Sequence, residues 1–496
     1  MDSPELPKPL MKRMQERLAA SRFFTFSLLI HVVIVIVGGS VVLIKQQMEQ
    51  PDFSASEGGL VSNEVSVQPP AEQPVDLTQT QFTPQAPQIN APVLQAISTT
   101  NVSTPTFAVA AVTPQVKAMP TDAMSKALSN VTNNMAKGMA AGVPGGMAGR
   151  MGGTNRGRMM ADNGGKKKSE EAVLKGLKWL QKTQNADGSW STEHRPAMTG
   201  FALLCFLGHG ELPTSPEFGP CVQKGVDWMV QQGTQYQGRL SMTKDGWGGG
   251  NHGVYEHGIA AYALGEYYSL TKDERVAELF KQAIGYIVQG QGPDGGWMYS
   301  FNKSKSDTSV SGWQIQALKA AHLTGLGIAG VDEALDKAML NLKRVQGDAG
   351  GFGYRDPEDR YSLTGVGVLC TYFWKQKKDS SVQEGIEFII KKSKGDMPIQ
   401  YKGEKADLYA WYYHTQACLM YGGSAWSTWN RLFQDEIADA QSPDGSWPVT
   451  GGKAAHKENE PNIMGQTYRT TLCILMLEVF YRYMPINKGG GELGML

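Results

Sequence analysis

Charge imbalance is the first thing the sequence lacks. Acidic and basic residues number 47 each in 496 residues, so no net field argues for nucleic acid as a partner. Paired cysteines are missing too. The five, Cys205, Cys221, Cys370, Cys418 and Cys473, show no CxxC spacing. Four lie in apolar helical patterns and Cys221 follows a proline at a helix start, which makes them small buried hydrophobes rather than metal ligands or disulfide partners. Large hydrophobes are scarce between about residues 50 and 165: 68–94 is rich in Pro and Gln, and 118–165 shifts to Met, Gly, Ala and Asn. Such a stretch cannot bury enough apolar surface to offset its ordering entropy. Residues 45–168 are expected to form a disordered linker.

What the sequence has is a repeated phrase. Its clearest copy is Lys175–Trp190, KGLKWLQKTQNADGSW. Leu174, Leu177 and Leu180 place an apolar stripe on a helix, Gln181 and Gln184 fall in its last turns, and Asp187-Gly188 breaks it because glycine accepts positive φ. Trp190 then sits close enough to fold back onto the helix end. The phrase returns over Gln282–Trp297, Lys337–Phe352 and Asn430–Trp447, is stretched over Lys224–Trp247, and is worn after Gln383, where Tyr401 stands near the missing aromatic. Six units at a spacing of about fifty residues indicate a repeat architecture.

Other helical runs lie between the phrases: Ala197–Gly208, Val254–Tyr268, Thr308–Gly325, Tyr361–Lys375, Leu408–Tyr421 and Tyr468–Tyr483. They carry few charges, whereas the phrase helices are charged on one face. A helix apolar all round belongs inside and an amphipathic one outside. Six of each, alternating, predict an all-α (α/α)6 toroid over 169–485, with Ser169 capping its first helix and 486–496 as a tail.

Residues 1–22 hold five basic side chains, and 23–44 (FFTFSLLIHVVIVIVGGSVVLI) hold no formal charge. That length spans a hydrocarbon core of about 30 Å. The basic flank keeps the N-terminus cytoplasmic and sends the toroid to the extracytoplasmic, periplasmic side of the inner membrane. The exit lacks an A-x-A site, so an anchor is expected rather than a cleaved signal peptide. His31 is an ionisable group inside this span, with Ser27 one turn earlier. The Ser-x-x-x-His pair before a Pro/Gln-rich stretch resembles TonB, which implies an ExbB–ExbD-type proton channel as partner.

The outer helix, its late Gln, the Asp-Gly turn and the Trp resemble the QW repeat of the squalene–hopene and oxidosqualene cyclases. The ring of six pairs is also the fold of protein prenyltransferase β subunits. DLYAWYYHTQA (Asp407–Ala417) and LEVFYRYMP (Leu477–Pro485) resemble segments of bacterial prenyltransferase/squalene-oxidase-repeat proteins. The resemblance implies that Gln and Trp tie each outer helix to the next inner one. Gln181, Trp190, Gln291, Trp297, Gln346, Gln441 and Trp447 are therefore structural.

The chemistries of these families need particular residues. Cyclases protonate their substrate with the acid of a DxDD-T-A motif. Here Ser304-Lys305-Ser306-Asp307-Thr308-Ser309 keeps only the last Asp and the Thr. Asp307 is the catalytic candidate, with helix capping as its other role. Prenyltransferases hold Zn²⁺ with an Asp-x-Cys pair, which is absent. His414, the second catalytic candidate, matches their Tyr-His-Thr segment, and Cys418 lies one turn on, but no third ligand is placed. No metal or other cofactor is expected. The Gly-Cys-Gly-Glu-Gln of thioester proteins does not occur.

What remains is a central cavity. Polar residues near the starts of the inner helices, Thr199, His257, Thr364, Tyr413, Thr415, Arg469 and Thr471, with Trp313 in the wall, are expected to line it. Arg469 would hold an anionic head group or pair with Glu256 or Asp407. The functional expectation is a membrane-anchored toroid that binds a lipid-, isoprenoid- or glycan-type ligand without the cyclase reaction. An isoprenoid-handling enzyme and a scaffold coupled to a proton channel are the alternatives.

Overall fold

A computed structural model describes residues 145–242, 253–301, 305–375, 378–453 and 457–482. The expected membrane segment 23–44, with Ser27 and His31, lies outside these residues. So do residues 45–144 of the expected linker. Among the described residues no helix is long and apolar enough to cross a membrane.

A six-residue 3₁₀ run, Gly145–Arg150, leads into α1 (Gly153–Asp162). Twelve helices then alternate. The outer ones are α2 (Lys167–Thr183), α4 (Gly219–Gln235), α6 (Glu274–Gly290), α8 (Val331–Arg344), α10 (Ser380–Lys394) and α12 (Gly423–Asp439). The inner ones are α3 (Arg195–His209), α5 (Gly253–Thr271), α7 (Thr308–Thr324), α9 (Tyr361–Lys375), α11 (Leu408–Tyr421) and α13 (Ile463–Leu477), followed by the single turn α14 (Val479–Arg482). Each inner helix packs on the next, α13 packs back on α3, and α12 on α2. The twelve form a closed double ring.

Hydrophobic patterning places each helix. In α6, Val276, Phe280, Ala283, Ile284 and Ile287 are buried at helical spacing while Glu274, Glu278 and Gln282 face water. In α5 every residue from Gly253 to Leu270 is buried, and in α11 every residue from Leu408 to Met420.

The phrase is the joint between rings. Trp190, Trp297 and Trp447 are wholly or almost wholly buried, which contributes about 4–6 kcal/mol of apolar transfer each as an upper bound. Each indole Nε1 donates to a carbonyl ten residues back on its own outer helix: Leu180, Ile287 and Ile437, at 2.7–2.8 Å. The glutamine works sideways. Gln184 donates to Gly188 O and to Cys221 O on the next outer helix, and Gln291 to Gly295 O and Ala334 O. Gln346 does the same with Gly350 O and Ser381 O, and Gln441 with Gly445 O and Ala172 O. The glutamine therefore ties outer helix to outer helix, not outer to inner. In the first repeat the residue that does so is Gln184; Gln181 bonds only Glu217 O at the surface.

Two expected boundaries move. The packed unit includes 145–166, well before residue 169: Met147, Met151, Met159 and Met160 are buried in its core. Residue 166, not Ser169, is the N-cap of α2, and Ser169 Oγ donates instead to Gln434 Oε1 at 2.9 Å.

Candidate functional site

The inner helices run the same way, so their first turns gather at one mouth of the ring. The polar residues expected to line a cavity there are committed to the backbone. Thr199 Oγ1 accepts from Trp190 N–H (3.1 Å), Ser311 Oγ from Trp297 (2.9 Å), Thr364 Oγ1 from Phe352 (3.1 Å) and Thr470 Oγ1 from Trp447 (3.2 Å). In four of the six inner helices, α3, α7, α9 and α13, a hydroxyl thus fixes the aromatic that ends the preceding phrase. Thr415 Oγ1 accepts from the indole of Trp429 and donates to Trp411 O, and Thr471 donates to Tyr468 O. His257 accepts from Leu240 N–H at Nδ1 and donates from Nε2 to Ala283 O on α6.

Asp307, His414 and Arg469 do not converge. Asp307 is the N-cap of α7: its Oδ1 accepts from Ser309 N, Ser309 Oγ and Val310 N, and its Oδ2 from Tyr299 OH at 2.6 Å. His414 is wedged between Tyr361, at a ring-centroid distance of 4.5 Å, and Trp429, at 5.3 Å. Its Nε2 donates to Tyr361 O, its Nδ1 is buried without a partner, and burial pushes the imidazole down to about 3. Burial pushes the Cys418 thiol up. Among the described residues no three His, Cys, Asp or Glu side chains come together as metal ligands would. Arg469 pairs with neither Glu256 nor Asp407. Its guanidinium donates to the carbonyls of Trp447, Glu458 and Glu460, stapling two loops over the start of α13. Burial lowers its pKa.

In these same N-terminal turns, aromatic rings meet across the ring. Phe201 on α3 lies 6.0 Å from Trp313 on α7 and 5.5 Å from Tyr468 on α13, and Trp313 lies 5.6 Å from Tyr413 on α11. α3, α7 and α11 are alternate members of the inner ring, so these contacts cross its middle. Trp313 and Tyr413 are fully buried and in ring contact with each other.

One ionisable pair at the mouth was not foreseen. His194 Nδ1 lies 2.9 Å from Glu256 Oε1, and Met242 N–H donates to Glu256 Oε2. The imidazole is 14% exposed and the carboxylate 4%. His194 holds φ +49, and Ser191 in the same loop φ +68. Non-glycine residues are uncommon in the left-handed region, and such positions cluster in functional loops. Beside this loop a surface recess bounded by Asn185, Asp187, Thr192 and Arg195 opens to solvent. The only sequence signal was an ionisable pair split across a loop and the first turn of α5, which no local spacing reveals.

The described residues are thus an (α/α)6 toroid whose inner helices are linked by aromatic contacts across the ring. No protein-family model matches the sequence, and no curated protein does. Solved structures similar to it include an inactive variant of an α-1,6-mannanase of Salegentibacter sp. HEL1_6 in complex with α-1,6-mannotriose. That chain is 11% identical, with 63% of this chain and 99% of that one covered and a TM-score of 0.47. Cellobiose 2-epimerase from Spirochaeta thermophila DSM 6192 is 10% identical over 71% of this chain and 98% of that one, with a TM-score of 0.45. The ligand-free type II terpene cyclase MstE of Scytonema is 12% identical over 63% and 98%, with a TM-score of 0.38.

Proposed function

We propose that this chain is a membrane-anchored extracytoplasmic binding module, held at the inner membrane by residues 23–44, whose ring takes a hydroxyl-rich, glycan-type ligand at the mouth beside His194 and Glu256. The observation that carries this reading is the strained, partly exposed His194 paired with a carboxylate on α5. Such a pair offers both a donor and acceptors to a hydroxyl-rich ligand. A long isoprenoid tail would need axial depth, which Phe201, Trp313, Tyr413 and Tyr468 occupy. Cyclase chemistry is disfavoured by Asp307. An acid that delivers a proton must point it at substrate, whereas four donors already converge on these two oxygens.

Full-length protein extracted in mild detergent tests the reading by titration with oligosaccharides and by native mass spectrometry. Saturable binding that His194→Ala and Glu256→Gln abolish at unchanged Tm is expected. A retained isoprenoid, or turnover lost in Asp307→Asn, would overturn it. Coupling of Ser27 and His31 to a proton channel belongs to the same proposal and predicts that His31→Ala abolishes the cellular role.

A further inference from the structure

The opposite end of the ring, at the C-termini of the inner helices, holds a second constellation. Gly145–Arg150 is built from glycine, methionine, alanine and arginine. A 3₁₀ run this short and glycine-rich has little intrinsic stability, so tertiary contacts hold it. Its Arg150 is fully buried. The guanidinium donates to Glu266 Oε2 on α5 at 2.8 Å, to Leu207 O on α3 at 3.4 Å and to Arg482 O on α14 at 3.1 Å. Glu266 is also fully buried, and its other oxygen accepts from Tyr262 OH and from Arg482 NH2. Burial would raise the Glu266 carboxyl, but Arg482 and Arg150 hold it below its ordinary value. A carboxylate and two carbonyls from three elements are therefore arranged about one guanidinium, with a phenol holding the carboxylate from its other side, and that guanidinium comes from outside the six helix pairs.

The acceptor set is larger than its occupant uses. Glu478 is wholly buried, and neither of its carboxyl oxygens has a hydrogen-bond partner. It lies against Gly208, where a Cβ would meet Oε2 at 2.2 Å. Arg150 and Arg482 act electrostatically on Glu478 as they do on Glu266. Buried polar atoms are nearly always satisfied, so an orphan carboxyl beside a guanidinium cradle points to a ligand that reaches further than Arg150 does.

We propose that this end of the toroid is a guanidinium-binding site which the chain's own N-terminal strap occupies, and that a guanidinium-bearing ligand displaces Arg150 from it. The strap is a resident pseudo-ligand, and the site opens when it leaves. The test uses the full chain and methylguanidinium as the probe. Arg150→Ala lowers Tm by on the order of 5 °C or more, because it strips a buried carboxylate of a partner. Millimolar methylguanidinium restores part of that loss saturably, whereas tetramethylammonium at matched ionic strength does not. No restoration, or equal stabilisation of the unsubstituted chain, overturns the proposal. If Arg150→Ala does not fold, hydrogen exchange on the unsubstituted chain decides. Methylguanidinium then speeds exchange of residues 145–162 while α5 stays protected. Strap amides that exchange only with global unfolding, with or without the probe, overturn it.

Discussion

The side-chain amide of Gln441 donates to the backbone carbonyl of Ala172, 2.8 Å away and 269 residues earlier in the chain. It is the same bond that Gln184, Gln291 and Gln346 make to the outer helix that follows each of them. The last repeat treats the first as its successor.

That equivalence predicts comparable costs. Gln184→Ala, Gln291→Ala, Gln346→Ala and Gln441→Ala should each lose about 1–2 kcal/mol, since each removes one bridge between two buried or half-buried carbonyls. Urea midpoints at constant m measure this. Gln441→Ala should be no worse than Gln291→Ala, because Gln434 also bonds Gly164 O, the Lys166 N–H and Ser169 across the same seam. A reduced m in Gln441→Ala alone would show instead that closure hangs on this single bond.

The turn glycine after each glutamine is under two constraints. Gly295 holds φ +90, and a Cβ there would lie 2.2 Å from Lys337 O on the next outer helix. Gly295→Ala should cost roughly 3 kcal/mol or more, from backbone strain plus displacement of α8. Gly285 lies within α6 with open space about it. Gly285→Ala should stabilise by about 0.5–1 kcal/mol. Paired thermal melts check both signs.

Stability should depend on pH through His257 and His414. Burial depresses the two imidazoles to about 4 and about 3, while in the unfolded chain they protonate near the ordinary value of about 6.5. Between those values the unfolded state binds more protons, so stability rises with pH. It is complete above about pH 6.5 and falls on acidification towards pH 4 and then 3, by up to roughly 1.4 kcal/mol per pH unit for each histidine. Burial raises the Glu478 carboxyl and so opposes this trend above the ordinary carboxylate range. His257→Asn, which keeps an acceptor for Leu240 N–H, should remove one histidine's share of the slope. Melts from pH 4 to 7 test it, and an unchanged slope would refute the assignment.

His194 separates stability from function. His194→Gly relieves the left-handed backbone and should leave Tm unchanged or raise it slightly. On the reading above it also abolishes glycan binding, measured by titration calorimetry. A glycine variant that is destabilised by more than about 1 kcal/mol would make the His194–Glu256 pair a structural bond instead.

Alternation of charged and apolar helices, with the six phrases, made the double ring readable before any coordinates, because burial periodicity is local. The strap was not readable. Gly145–Arg150 looks like low-complexity linker, and only the distant Glu266 gives Arg150 a place to go. The site was less legible than the fold for a related reason. Thr199, Thr364 and Arg469 stand where a mouth-lining residue would, but whether a side chain turns towards the axis or back onto the loop before it depends on partners that no local pattern names. Asp307 was the exception, since an Asp directly before a helix announces a cap.

The contacts of Phe201 with Trp313 and Tyr468, and of Trp313 with Tyr413, brace α3, α7, α11 and α13 against one another across the inner ring. α3 and α5 each carry residues of both ends: His194 precedes α3 and Leu207 lies near its C-terminus, while Glu256 and Glu266 both lie on α5, so a displacement of either helix would couple the His194 pair to the Arg150 pair.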